Sequence, residues 1–164
     1  MSYIESTRRT QFSTHQESAN IFAFAALKEA GSVITWGNQS FGGDSSSVSS
    51  ELSSGVSQVF SNRRAFAALK NDGSVITWGG TLNGGNSSAV SSELSSGVSQ
   101  IFSNLNAFAA LKNDGSVVTW GGSSDGGDSS AVSSDLSYGV SQIFSNRHAF
   151  AALKNDGSVV TWGG

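Results

Sequence analysis

The chain has 164 residues, a formal net charge of −3 and 13% charged residues, about half the share typical of globular domains. That weak charge gives no general electrostatic reason to bind nucleic acid or an anionic membrane surface. Cysteine is absent, which excludes disulfides, thiolate metal sites and cysteine nucleophiles, and no apolar run approaches the roughly 18 residues of a membrane span.

In chain order, residues 1–20 read as an irregular N-terminal segment. MSYIESTRRTQFSTHQ is polar and lacks the apolar stretch of a signal peptide, so the compartment stays open, a secreted or cell-surface location within a longer protein included. Gln11-Phe12-Ser13-Thr14 reads as a worn copy of the later Gln100-Ile101-Phe102-Ser103, followed by six extra residues. Residues 21–164 are an array of four repeats. Trp36, Trp78, Trp120 and Trp162 stand at equal intervals, and residues 63–104 share 33 of 42 positions with residues 105–146.

Each repeat contains a β-hairpin. Ala65 to Lys70 and Ser74 to Trp78 are short runs rich in apolar and β-branched residues. Asn71-Asp72-Gly73 joins them with turn chemistry, the glycine permitting positive φ. Gly97 to Phe102 supplies a third strand, and simple alternation places Val98, Gln100 and Phe102 on one face. Val90 to Leu94 is either a fourth, edge-like strand or a loop. No segment has ten residues of helical periodicity, so a helical solenoid is excluded. A 42-residue unit of three to four strands is the size of a propeller blade. The recurring Trp is expected to pack between blades, because one small sheet cannot bury it alone.

The phrase AALKNDGSVVTWG resembles repeats of the regulator of chromosome condensation family. Ala151-Ala152-Leu153, Asp156-Gly157, Val159 and Trp162-Gly163 match that family's hairpin, and the bacterial members, including the β-lactamase-inhibitor propellers, look nearer than the chromatin-binding ones. Two family signatures are replaced: His-Thr by Ala149-Phe150 and its copies, and Gly-Gln-Leu-Gly by Gly126 to Ser129. Nucleotide-exchange activity is therefore not carried over. Members usually close as seven blades, so the resemblance implies an all-β chain of propeller-like blades in an open or incomplete ring. Unclosed ends expose edge strands and invite self-association. The WD-repeat alternative fits worse, since Gly-His and Trp-Asp pairs are absent.

Candidates for chemistry are few. His15 and His148 are the only histidines, which leaves a histidine triad or metal cluster without material. Asp72, Asp114 and Asp156 recur once per repeat and read as turn formers; Glu51, Glu93 and Asp135 read as solvated residues. The loop from Gly79 to Gly85 lacks the Lys-Ser/Thr of a phosphate loop. Gly-Gly-Asp and Gly-Gly-Asn triplets occur once per repeat, whereas calcium-binding nonapeptides need tandem nine-residue spacing. No catalytic residue, metal ligand or cofactor is assigned.

The informative positions are those that escape repetition. One cluster is Arg63 and Arg64, Leu105 and Asn106, Arg147 and His148. The other holds Gln39, Phe41, Leu82, Asn83 and Asp125. A constant framework with variable loops is how a rigid scaffold hosts a binding surface. These residues are the candidate contacts for a protein or glycan partner, and the arginines favour an acidic one. The expected function is a non-enzymatic binding scaffold. The alternative is a structural repeat segment of a large bacterial surface or secreted protein with no discrete ligand.

Overall fold

The computed structural model describes residues 14–164, with side chains from Asn20 onward. Strands β1 (Thr14–Ala19), β2 (Ala23–Lys28) and β3 (Val33–Gly37) form the first antiparallel sheet. The second holds β4 (Val56–Ser61), β5 (Ala65–Lys70) and β6 (Val75–Gly79), and the third β7 (Val98–Ser103), β8 (Ala107–Lys112) and β9 (Val117–Gly121). The fourth holds β10 (Val140–Ser145), β11 (Ala149–Lys154) and β12 (Val159–Gly163). These are four three-stranded blades in an open array.

The hairpins form where the turn residues placed them. In the second blade Gly73 has φ of 79° and Asp72 Oδ1 accepts from both the backbone N–H and the hydroxyl of Ser74. The Ser74 hydroxyl and backbone bonds hold the Asp72 carboxyl below its ordinary range. Asp114 and Asp156 repeat that arrangement.

One open alternative is resolved and one reading is corrected. Val90 to Leu94 is a loop and not a fourth strand. The linking segment runs through short 3-10 turns, Ser88–Val90 and Glu93–Ser95, and pins itself with Leu94, which is fully buried. Nor does β7 alternate simply. Its pairing with β8 shifts between Val98 (opposite Lys112) and Gln100 (opposite Leu111). This bulge inserts Ser99 and resets the phase. Val98 and Ile101 therefore share the buried face, Gln100 is exposed, and Phe102 packs toward the next blade.

The first blade obeys the same register. Thr14 opposes Lys28 and Glu17 opposes Ala26, as Val56 opposes Lys70 and Val59 opposes Ala68. Gln16, not a residue near Gln11, therefore holds the place of Gln58, and no extra residues separate this strand from its hairpin. Gln11 to Ser13 lie outside the described residues.

The core sits between blades. One joint packs Ala23, Ala25 and Leu27 of the first blade against Phe66, Ala68 and Trp78 of the second. The alanines leave room for the aromatic side chains of the following blade, which explains why AFAALK repeats without change. Two further joints reproduce the arrangement, with Phe108 and Trp120, then Phe150 and Trp162, as the inserted pairs. Each Phe stacks on its own Trp at 5.2–5.5 Å. Each of these Trp side chains also donates from Nε1 to a glycine carbonyl of the preceding linking segment, at 3.1 Å: Trp78 to Gly42, Trp120 to Gly84, Trp162 to Gly126. The expected packing of Trp between blades holds at Trp78, Trp120 and Trp162, whereas Trp36 of the first blade is 46% exposed.

Candidate functional site

The loop joining the first and second strands of each blade is set by one asparagine. Asn62 Oδ1 accepts from the backbone N–H groups of Arg64 and Ala65, and its Nδ2 donates to the carbonyl of Asn83 at 2.5 Å. Asn20 and Asn104 make the same three bonds, reaching Phe41 and Asp125. Each asparagine therefore ties its loop to the 3-10 turn that follows the hairpin. The two variable clusters, separate in sequence, become one face of the array.

Successive loops are also joined to each other. Arg63 donates its backbone N–H to the carbonyl of Leu105 at 3.2 Å, and Leu105 donates to that of Arg147 at 3.1 Å. The hydroxyls of Ser103 and Ser145 reach the carbonyls of Ser61 and Ser103 at 2.9 Å. This ladder aligns two rows. The first runs Arg63, Leu105, Arg147 and is extended by Ile21, which lies in the same depression outside the ladder, so that aliphatic and cationic side chains alternate. The second runs Phe22, Arg64, Asn106, His148.

The first row borders a depression of about 490 Å³, lined by Asn20, Ile21, Asn62, Arg63, Leu105 and Arg147. Ile21, Arg63 and Arg147 are exposed and Leu105 is half-buried. Neither Arg63 nor Arg147 has an ion-pair partner among the described residues. Ile21 and Phe22 escape the sequence reading, although counting back one repeat from Arg63 and Arg64 finds them.

The second row is more constrained, because each member meets the preceding 3-10 turn. The Arg64 guanidinium lies 5.1 Å from the Phe41 ring centre, and Phe41 in turn packs on Phe22 at 4.6 Å. Asn83 Nδ2 donates to Asn106 Oδ1 at 2.8 Å. His148 Nδ1 lies 2.6 Å from Asp125 Oδ1, and Asn106 Nδ2 donates to Asp125 Oδ2 at 3.0 Å. Each joint thus carries its own matched pair: Phe41 with Arg64, Asn83 with Asn106, Asp125 with His148.

Asp125 is buried, so it serves to position His148 rather than to meet solvent. Burial alone raises its carboxyl, but the bonds from His148 and Asn106, with the nearby imidazole and Ser124, outweigh it. The net result lies below the ordinary value. Gln39 is exposed on the 3-10 turn Gln39–Phe41, and Leu82, at 84% exposure, projects from the 3-10 turn Thr81–Asn83.

Charge is sorted along the hairpins. Arg63, Arg64 and Arg147 stand at the loop end. Lys70, Lys112 and Lys154 stand at the turn end, each donating to the backbone carbonyl of Glu51, Glu93 or Asp135. Among the described residues no group of three histidine, aspartate or glutamate side chains converges as metal ligands would.

No family model matches the chain, and no curated protein matches it in sequence. Solved structures match it in fold. Prp20p of Saccharomyces cerevisiae, a protein with binding properties toward Gsp1p and histones, superposes with a TM-score of 0.60 at 17% identity, over 90% of this chain and 44% of that one. The same yeast protein, bound to Kap60 and identified there as RCC1, gives 0.59 at 15% over 94% and 44%. The receptor kinase CR4 ectodomain of Physcomitrella patens gives 0.57 at 16%, over 92% and 40%. The chain spans less than half the length of each. What it shares with them is architecture: four blades with the fold of regulator of chromosome condensation-type β-propellers.

Proposed function

We propose that the chain is a non-enzymatic protein-binding module whose partner seats along the row Ile21, Arg63, Leu105 and Arg147. The observation that carries this reading is the backbone ladder, which aligns the non-repeated side chains along one depression. Alternating aliphatic and arginine side chains suit an extended segment bearing acidic and apolar residues, since arginine pairs with carboxylates in a planar fork. Those features favour a peptide over a glycan. The fold neighbours support the general reading, because Prp20p binds Gsp1p and histones and is seen bound to Kap60.

The test is selection of a random displayed peptide library on the 164-residue chain, followed by calorimetry of the enriched peptides. Enrichment in Asp and Glu is expected. Affinity should fall about tenfold or more in the Arg63→Ala, Arg147→Ala double variant, a loss of ~1.4 kcal/mol or more, and should weaken with salt. Peptides without acidic bias, or indifferent to the double variant, would reject this face. A chain that enriches nothing would favour the purely structural reading.

A further inference from the structure

The two exposed arginines of the first row stand at a fixed interval, which backbone contacts set rather than side chains. The Arg63 N–H donates to the Leu105 carbonyl at 3.2 Å, and the Leu105 N–H to the Arg147 carbonyl at 3.1 Å. A second bond crosses each rung, from the Ser103 hydroxyl to the Ser61 carbonyl and from the Ser145 hydroxyl to the Ser103 carbonyl, both at 2.9 Å. Asn62, Asn104 and Asn146 hold the three loops in one shape, each Oδ1 accepting the backbone N–H groups two and three residues on. Segments bonded side by side in this way lie ~4.8 Å apart, so Arg63 and Arg147, two rungs from each other, are ~10 Å apart at the backbone. Leu105 lies half-buried between them.

We propose that this interval selects an acidic segment in the polyproline II conformation, with carboxylates three residues apart, one on Arg63 and one on Arg147. The inference rests on the reading of the row as a seat for an extended acidic segment, and adds the spacing that segment must have. A β-strand returns a side chain to the same face every ~6.7 Å. Its acidic residues fall out of step with the arginines, too close when two apart and too far when four apart. Polyproline II returns a side chain every third residue, or ~9.3 Å, which matches two rungs. The two intervening residues then straddle Leu105, which gives aliphatic or prolyl side chains an apolar contact.

An α-helix spans the same interval only with acidic residues seven apart, at ~10.5 Å. That orders about eight residues for contacts with three side chains, and so short a helix is marginal by itself. Polyproline II orders about four, and unfolded chains already populate it without internal hydrogen bonds, so less conformational entropy is lost on binding. Each arginine presents a planar fork to a carboxylate, and neither is drawn away by an ion pair among the described residues.

The experiment is calorimetry of the 164-residue chain at low salt with blocked proline-rich peptides carrying two glutamates two, three or four residues apart. A helical alanine-based peptide of about 16 residues with glutamates seven apart completes the series. The three-residue spacing should bind about threefold to fivefold tighter than its neighbours, the most that one exposed ion pair supplies, and tighter than the helical peptide. In double-mutant cycles each glutamate, replaced by glutamine, should couple to one arginine only, one of them to Arg63→Ala and the other to Arg147→Ala. Both arginines are exposed, so the variants should keep the wild-type circular dichroism and melting curve; if Arg63→Ala fails to fold, Arg63→Gln replaces it. Equal affinity across the spacings, preference for the helical peptide, or glutamates that couple equally to both arginines would overturn the spacing and leave the acidic-peptide seat standing. So would a proline-rich series that fails to bind while acidic peptides selected from a library do. Selected peptides indifferent to Arg63 and Arg147 would remove the seat itself, and the spacing with it.

Discussion

The phenylalanine that follows the first alanine of each second strand offers four tests of one substitution in four nearly identical contexts. Phe66 and Phe108 are fully buried and Phe150 nearly so, but Phe24 is 48% exposed. A phenylalanine buries about 150 Å² or more. At ~25 cal/mol per Å², removing it from a closed joint costs ~4 kcal/mol, inside the ~3–5 kcal/mol seen when core phenylalanines are truncated. At Phe24 only about half the area is buried, so the same arithmetic gives ~2 kcal/mol, and the open side leaves no enclosed cavity to add to it. Phe108→Ala should therefore destabilise by ~2 kcal/mol more than Phe24→Ala. Phe108→Ala also weakens the joint between the second and third blades. In an array coupled only through neighbours, it should broaden the unfolding transition or split it. The assay is urea denaturation followed by tryptophan fluorescence and circular dichroism at the lowest workable protein concentration. Equal losses at Phe24 and Phe108 would refute the reasoning, since they would show that the first blade is as well covered as the third.

Three further outcomes follow from particular contacts. Gly84 has φ of +94°, and an added Cβ would stand 2.7 Å from the Phe108 ring and 3.2 Å from Trp120. Gly84→Ala should thus cost ~3 kcal/mol, combining left-handed strain with overpacking. Gly157, with φ of +85° and nothing within 4 Å, should lose only ~1–2 kcal/mol on the same change; paired thermal melts check the difference. Because the Asp125 carboxyl lies below its ordinary value, its stabilising contribution is complete above the unfolded value of ~3.9 and disappears as pH falls through the lower folded value. The stability gap between wild type and Asp125→Asn, measured by urea midpoints, should therefore be widest near neutrality and narrow in acid. A gap that widens in acid would reverse the sign. Finally, Asn83→Asp and Asn106→His, which copy the pair in the next joint, should each destabilise when alone and recover by ~0.5 kcal/mol or more when combined; a double-mutant cycle with no coupling would show that the pairs are coincidental.

Much of the fold was legible because its signals are local. Asn71-Asp72-Gly73 carries its turn chemistry in three adjacent residues, and the regular return of Trp counts the blades. The phase of β7 was not legible. A bulge at Ser99 puts Val98 and Ile101 on one face, a spacing that strict alternation does not describe. Val90 and Leu94 left strand and loop open for a different reason. They are apolar because they anchor a linking segment, Leu94 wholly buried and Val90 partly, and an anchored 3-10 turn has no periodic signature. At the site, absence of repetition picks out the positions, but their convergence depends on asparagine bonds between segments distant in the chain. Asp125 stands out in the sequence as variable, whereas its burial and its bond to His148 arise only when the fold brings the two turns together. Ile21 and Phe22 carry little signal of their own, because the repeat is best preserved in the middle copies.

The two rows vary for different physical reasons, and this separates support from recognition. Residues 63, 105 and 147 contribute to the ladder through backbone N–H and carbonyl groups, which any residue but proline supplies. Asn62 and Asn104 fix the loop shape independently of the side chain that follows them. The ladder thus places no demand on the identity of the first-row side chains. The second row has no such freedom. Arg64, Asn106 and His148 each complete a contact with the preceding 3-10 turn, so a change there requires an answering change at Phe41, Asn83 or Asp125. Variation in that row is accounted for by the joints themselves, without a ligand. Of the residues that escape repetition and whose identity the framework does not explain, Arg63, Leu105 and Arg147, with Ile21 before them, line one depression, whereas Gln39 and Leu82 stand exposed outside it. The case for a binding surface rests on those four.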